Sequence, residues 1–147
     1  MVTLLLKKSY LHKGLKEIKF NDLWNSYGVF TTMRIVGKNK KILFYKEHIN
    51  NLISSLKIYN LNRKNLKTII LNLIENNIQK RINFDHLLRI AINSKMISIS
   101  LRKRNKPILN FKLKLLNYQR IDACHKNLKY KKILTFLKKV NNNKYDV

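Results

Sequence analysis

Cysteine, proline and glycine are nearly missing from this sequence. Its 147 residues include one cysteine, one proline and three glycines. A lone cysteine, Cys124, cannot form an internal disulfide, so a reducing cytosol is the default compartment. With so few glycines, neither a Walker loop nor a dinucleotide-binding glycine pattern can be written. The four histidines and Cys124 lack the spacing of a metal site. No apolar run approaches the ~20 residues of a membrane span. The run from Met1 to Leu6 is short and is followed by Lys7 and Lys8, which is the wrong length and charge order for a signal peptide. Acidic residues are scarce too: 7 Asp and Glu stand against 32 Lys and Arg, a formal charge of +25.

That charge has two readings. A basic chain can bind nucleic acid or an anionic membrane surface. Alternatively, the excess of Lys, Asn and Ile over Ala, Gly and Pro follows codon composition, as in an A/T-rich genome drifting under weak selection. The lysines spread along the whole chain instead of forming one patch, which favours drift over a nucleic-acid role. What is present is enough for a core. Apolar residues make up 45%, and a chain of this length can bury roughly 70% of its unfolded surface.

Val2 to Leu6 reads as a first strand, and Lys7 to Glu17, with Gly14 and mixed charge, as a loop. Gly28 to Val36 is rich in β-branched and aromatic residues and reads as a strand. Gly37 to Lys40 is a hairpin turn, with Lys41 to Tyr45 as the return strand. Ile49, Leu52, Ile53 and Leu56 fall on one face of a helix over Lys46 to Tyr59. A second helix is expected over Lys64 to Lys80 with Asn62 as its cap. Strands follow at His86 to Asn93, around Ile97 to Leu101, and from Ile108 to Leu116. A last helix spans Lys129 to Val140. Clustered strands and clustered helices suggest an α+β fold.

Two segments carry a resemblance. The first is Gly28-Val29-Phe30-Thr31-Thr32-Met33-Arg34, then a hairpin, then Glu47-His48-Ile49-Asn50-Asn51-Leu52. The second is Lys126-Asn127-Leu128-Lys129-Tyr130, leading into an amphipathic helix. Their order and spacing resemble the class IV aminotransferases, pyridoxal-phosphate enzymes, and the Phe-Thr-Thr-x-Arg form is most similar to aminodeoxychorismate lyases. The resemblance implies an N-terminal α+β domain over residues 1–118 and, over 119–147, the start of a C-terminal cofactor domain that is otherwise truncated. The chain would then be a split enzyme whose second half is another chain, a decayed gene, or a sequence cut short.

The resemblance also implies a chemistry. Pyridoxal 5'-phosphate draws electrons from a substrate carbon, and a lysine amine holds its aldehyde and then shuttles protons. Lys126 is that lysine by resemblance; otherwise it is a solvated lysine at a helix start. Tyr130 would reach the cofactor's phenolic oxygen, although it also lies on the apolar face of the last helix. Phe30, Thr32 and Arg34 alternate along one strand, so they share a face, and by resemblance that face lines the substrate pocket. Arg34 would pair with a substrate carboxylate, or else is a surface arginine at a strand end. His48 is read as a structural histidine. Asn51 stands where the family has an arginine that holds the cofactor phosphate, a loss of roughly 1.5–3 kcal/mol, or about ten- to a hundredfold in affinity. The implied reaction is release of pyruvate from 4-amino-4-deoxychorismate, leaving 4-aminobenzoate for folate synthesis. The alternatives are a branched-chain or D-amino-acid aminotransferase and, from another class, a basic RNA-binding domain. The expected partners are a small-molecule amine substrate and either a second copy of the chain or a separate C-terminal half, with no membrane.

Overall fold

The computed structural model describes residues 4–78, 82–104, 115 and 117–142. Six strands form one antiparallel sheet in the order β2-β1-β6-β5-β3-β4. They are β1 (Leu4–Leu11), β2 (Glu17–Ile18), β3 (Gly28–Gly37), β4 (Lys41–Ile42), β5 (Phe84–Asn93) and β6 (Met96–Lys103). Helices α1 (Tyr45–Ile58) and α2 (Leu66–Asn77) lie between β4 and β5, and α3 (Lys131–Asn142) follows. The α+β class is as the sequence implies.

Period-2 alternation decides which side of the sheet each residue takes. Val29, Met33 and Ile35 of β3, Leu88, Ile90 and Ile92 of β5, and Ile97 and Ile99 of β6 are fully buried. They share one core with Ile49, Leu52 and Leu56 of α1 and Leu66, Ile70 and Ile74 of α2. The opposite face carries a smaller cluster: Leu23, Phe30, Ala91 and Leu128, with Trp24 and Tyr130 packed against them.

Four local expectations are corrected. The first strand does not end at Leu6. It runs to Leu11, because backbone pairing such as Lys8 opposite Ile99 and Ser9 opposite Ser98 is indifferent to charged side chains. Lys8 Nζ donates to Glu17 Oε2 at 2.9 Å, and Glu17 itself lies in β2 rather than in a loop. The return strand stops at Ile42 because Phe44 turns left-handed (φ 52°) and starts α1 one residue later. The residue before α2 is Asn65, not Asn62, at φ 57° with no side-chain cap, a conformation that asparagine tolerates better than most residues. The strand expected at 108–116 falls almost wholly outside the described residues, with only Leu115 among them.

Candidate active site

Gly28, the first residue of β3, admits no side chain. A Cβ there would lie 2.2 Å from the Ile92 carbonyl oxygen and 2.9 Å from Leu128 Cδ1. That closeness lets a second segment lie along the N-terminal half of β3. Phe30 N donates to Lys126 O at 2.8 Å and Leu128 N to Gly28 O at 2.9 Å, with Asn127 bridged opposite Val29. Asn127 is fully buried. Its Nδ2 donates to Ile121 O at 2.9 Å and Asp122 O at 3.1 Å, and its Oδ1 accepts from Lys129 N at 3.1 Å. The backbone of Lys126 is therefore fixed to the sheet while its side chain is exposed.

Lys126 and Phe30 line two cavities. The first, of about 420 Å³, lies on the α1 side, where Thr31, His48, Asn51, Ser54, Ser55 and His125 contribute polar groups. No Asp or Glu lines it among the described residues. His48 Nδ1 lies 3.0 Å from Thr31 Oγ1. Burial lowers the His48 pKa, and the positive charge of Lys126 lowers it further, so this ring is neutral near pH 7.

The second cavity, of about 640 Å³, lies on the other face of the sheet. Its floor is Lys7, Arg102, Arg89 and Thr32, and its walls include Trp24 and Tyr130. The rings are packed on one another: Phe30 meets Trp24 edge-on at 5.1 Å and Tyr130 at 5.2 Å. Arg89 sits opposite Thr32 on β5, its guanidinium carbon 3.6 Å from the centre of the Trp24 ring. Nη1 donates to Asp22 O at 2.9 Å, but Nε and Nη2 are buried with no partner among the described residues. Burial pushes the Arg89 pKa down to about 10. A charged group with buried, unmade donors at a cavity is a site for an anion.

Of the residues singled out from sequence, Lys126, Asn51, Phe30, Thr32 and Tyr130 all line one or both cavities. Tyr130 is a wall of the second cavity, and its hydroxyl accepts from Arg120 Nη1 at 2.8 Å. Arg34 stands apart. It lines neither cavity, and its Nε and Nη2 are engaged with Asp85 Oδ1 at 3.1 and 3.0 Å. Arg89, not singled out from the sequence, lines the second cavity, and Arg34 does not. The available signal was an arginine inside the apolar run Leu87-Leu88-Arg89-Ile90.

Residues 28–147 match the model of the amino-transferase class IV family. The match opens at Gly28, where β3 begins, and runs past α3; the chain belongs to this family. Its members are pyridoxal-phosphate-dependent enzymes of aminotransferase and lyase type. Neither the curated proteins nor the solved structures give a match. The residues present fit that cofactor. A lysine on a fixed backbone stands beside a cavity lined by hydroxyl, amide and imidazole groups, with no carboxylate among its described lining residues, and a dianionic phosphate requires donors of that kind. No helix among the described residues is long and apolar enough to cross a membrane.

Proposed function

We propose that the chain acts as a pyridoxal-phosphate-dependent lyase on 4-amino-4-deoxychorismate, releasing pyruvate and leaving 4-aminobenzoate. The observation that carries this reading is the second cavity: buried guanidinium donors of Arg89 with no partner among the described residues, beside packed aromatic rings, in a cavity that Lys126 also lines. The substrate is a cyclohexadiene with one carboxylate on the ring and a second on its enolpyruvyl arm. Trp24, Phe30 and Tyr130 offer faces and edges for the ring. Arg89, Arg102 and Lys7 offer more positive charge than the single carboxylate of an aliphatic amino acid needs, which favours the lyase over a branched-chain or D-amino-acid aminotransferase. Trp24 and Tyr130 line a cavity instead of standing on an open basic face, which disfavours RNA binding.

In this reading the donors of the first cavity, His48, Asn51 and Ser55 among them, hold the cofactor together with Lys126. When bound, pyridoxal phosphate supplies an electron sink for the carbon bearing the substrate amine. The Lys126 amine takes the proton from that carbon. The neighbouring C–O bond breaks, the ring becomes aromatic, and the departing enolpyruvate takes up a proton to become pyruvate. Arg89 orients the substrate by pairing with a carboxylate. Phe30, which lines both cavities, separates substrate from cofactor phosphate.

The test is borohydride reduction of protein mixed with pyridoxal phosphate, followed by peptide mapping, beside an assay for both products. The expected result is a pyridoxyl group fixed on Lys126, with pyruvate and 4-aminobenzoate formed in equal amounts and both lost in Lys126→Ala. Amino transfer to a 2-oxo acid without pyruvate release would make the protein an aminotransferase. Labelling scattered over many lysines without preference for Lys126 would defeat the enzyme reading.

A further inference from the structure

The first cavity has the donors for a phosphate, but Asn51 brings no charge to it. Two imidazoles line the same wall as Lys126. His48 is held neutral by burial and by the charge of Lys126, and its Nδ1 is taken by Thr31. His125 differs. Its Nδ1 lies 2.9 Å from Asp122 Oδ1, and the other oxygen of that carboxylate accepts the Tyr59 hydroxyl. Asp122 is kept ionised by the bonds from Tyr59 and His125, which hold its pKa below the usual range. Burial first, and the bond to Asp122 second, push Tyr59 up to about 12, so it stays a donor. A carboxylate at Nδ1 fixes the orientation of the ring and leaves Nε2 for another partner, to which Nε2 donates only when the ring carries both protons. It also supplies the countercharge for a protonated ring.

The position suits the cofactor. In pyridoxal phosphate the aldehyde and the phosphate arm are on adjacent ring carbons, so a lysine holding the aldehyde has the phosphate close by. His125 precedes Lys126 in the chain, and both line the cavity with Ser54 and Ser55. We propose that His125, held by Asp122 and Tyr59, is the cationic anchor of the cofactor phosphate in this chain, taking over from the residue that Asn51 replaces. This inference rests on the pyridoxal-phosphate reading of the site.

The probe is pyridoxine 5'-phosphate compared with pyridoxine. Both lack the aldehyde and therefore do not react with lysines. Binding to the full chain is read by equilibrium dialysis and by the phosphorus NMR shift. The wild type is expected to prefer the phosphorylated form. His125→Asn is expected to lose about ten- to a hundredfold for that form and nothing for pyridoxine, the equivalent of one charge-assisted hydrogen bond. Asp122→Asn, which leaves the ring but frees it, is expected to fall between. Asn51→Arg added to His125→Asn is expected to restore the preference. Unchanged preference in both single variants would overturn the role of His125 while leaving the enzyme reading intact. Failure of the wild type to bind either compound, together with no labelling of Lys126, would overturn both.

Discussion

Replacing Arg89 with methionine separates a binding arginine from a structural one. Burial lowers the guanidinium from its usual range to about 10, which places about 3 kcal/mol of unfavourable free energy on the folded charged form. Against this stand one hydrogen bond to Asp22 O and the stacking on Trp24, together about 2–3 kcal/mol. Methionine keeps much of the aliphatic packing and leaves no orphaned donors. Arg89→Met is therefore expected to be neutral or to stabilise by up to about 1 kcal/mol, a rise of no more than about 2–4 °C in Tm. Ligand binding should move the other way. Chorismate carries the carboxylates of the proposed substrate with a hydroxyl in place of the amine. Its affinity should fall about ten- to a hundredfold, the loss of a charge-assisted pair. The assay is built into the chain, since Trp24 is its only tryptophan and lies against Arg89, so its fluorescence follows binding. A variant that unfolds more easily by over 1 kcal/mol yet binds chorismate as the wild type does would refute the reasoning and make Arg89 a packing residue.

Arg34→Met should behave in the opposite way: the Arg34–Asp85 pair is exposed on both sides, so its loss should lower stability by no more than about 1 kcal/mol in urea unfolding, with chorismate affinity unchanged. Gly28→Ala should cost about 1–3 kcal/mol by overpacking, since its Cβ would meet the Ile92 carbonyl and Leu128, and should reduce pyridoxyl labelling of Lys126 by loosening the segment beside β3; wild-type labelling in a stable Gly28→Ala protein would show that the contact does not position the lysine. Burial is the first cause lowering the pKa of His12, His48 and His86 from 6.5. The unfolded chain therefore takes up protons first as pH falls, and Tm should decline from about pH 7.5 to about 5.5; a flat or rising Tm over that window would show that these rings are not buried as bases.

The elements that the sequence reveals are those whose periodicity comes from core burial. Ile49, Leu52 and Leu56 mark α1 because one helical face meets the sheet, and Val29, Met33 and Ile35 mark β3 for the same reason. β1 is misjudged at Lys7 and Lys8 because a strand near the edge of a sheet can carry charge on a stem that reaches solvent or a cavity. Lys7 in fact forms part of the second cavity's floor. The end of the return strand turns on the backbone of one residue, Phe44, at a left-handed angle that nothing in its side chain announces. Lys126 could be named because a motif surrounds it. Arg89 was marked only by its place in the apolar run Leu87-Leu88-Arg89-Ile90; what sets it apart is the solvent that folding removes from its guanidinium.

The alternation of β3 offers a physical reason for one strand to serve both halves of the proposed chemistry. Thr31 points toward α1 and its donors, while Phe30 and Thr32 lie on the face of Arg89, Trp24 and Tyr130. A sheet cannot bring a side chain on one face to the other, so a residue that must reach both has to stand at an edge. β4 covers β3 only at Ile35 and Val36, leaving the edge near Gly28 to the segment carrying Lys126. A β4 longer by several residues would occupy that edge and displace the lysine. The left-handed turn at Phe44, which ends the hairpin early and starts α1, is thus what keeps the edge available. Replacing Phe44 with glycine should relieve the strain of a bulky residue there, stabilising the protein by about 1 kcal/mol in urea unfolding, and should leave pyridoxyl labelling of Lys126 intact. Destabilisation instead would mean that the exposed ring, and not the turn, holds the start of the helix.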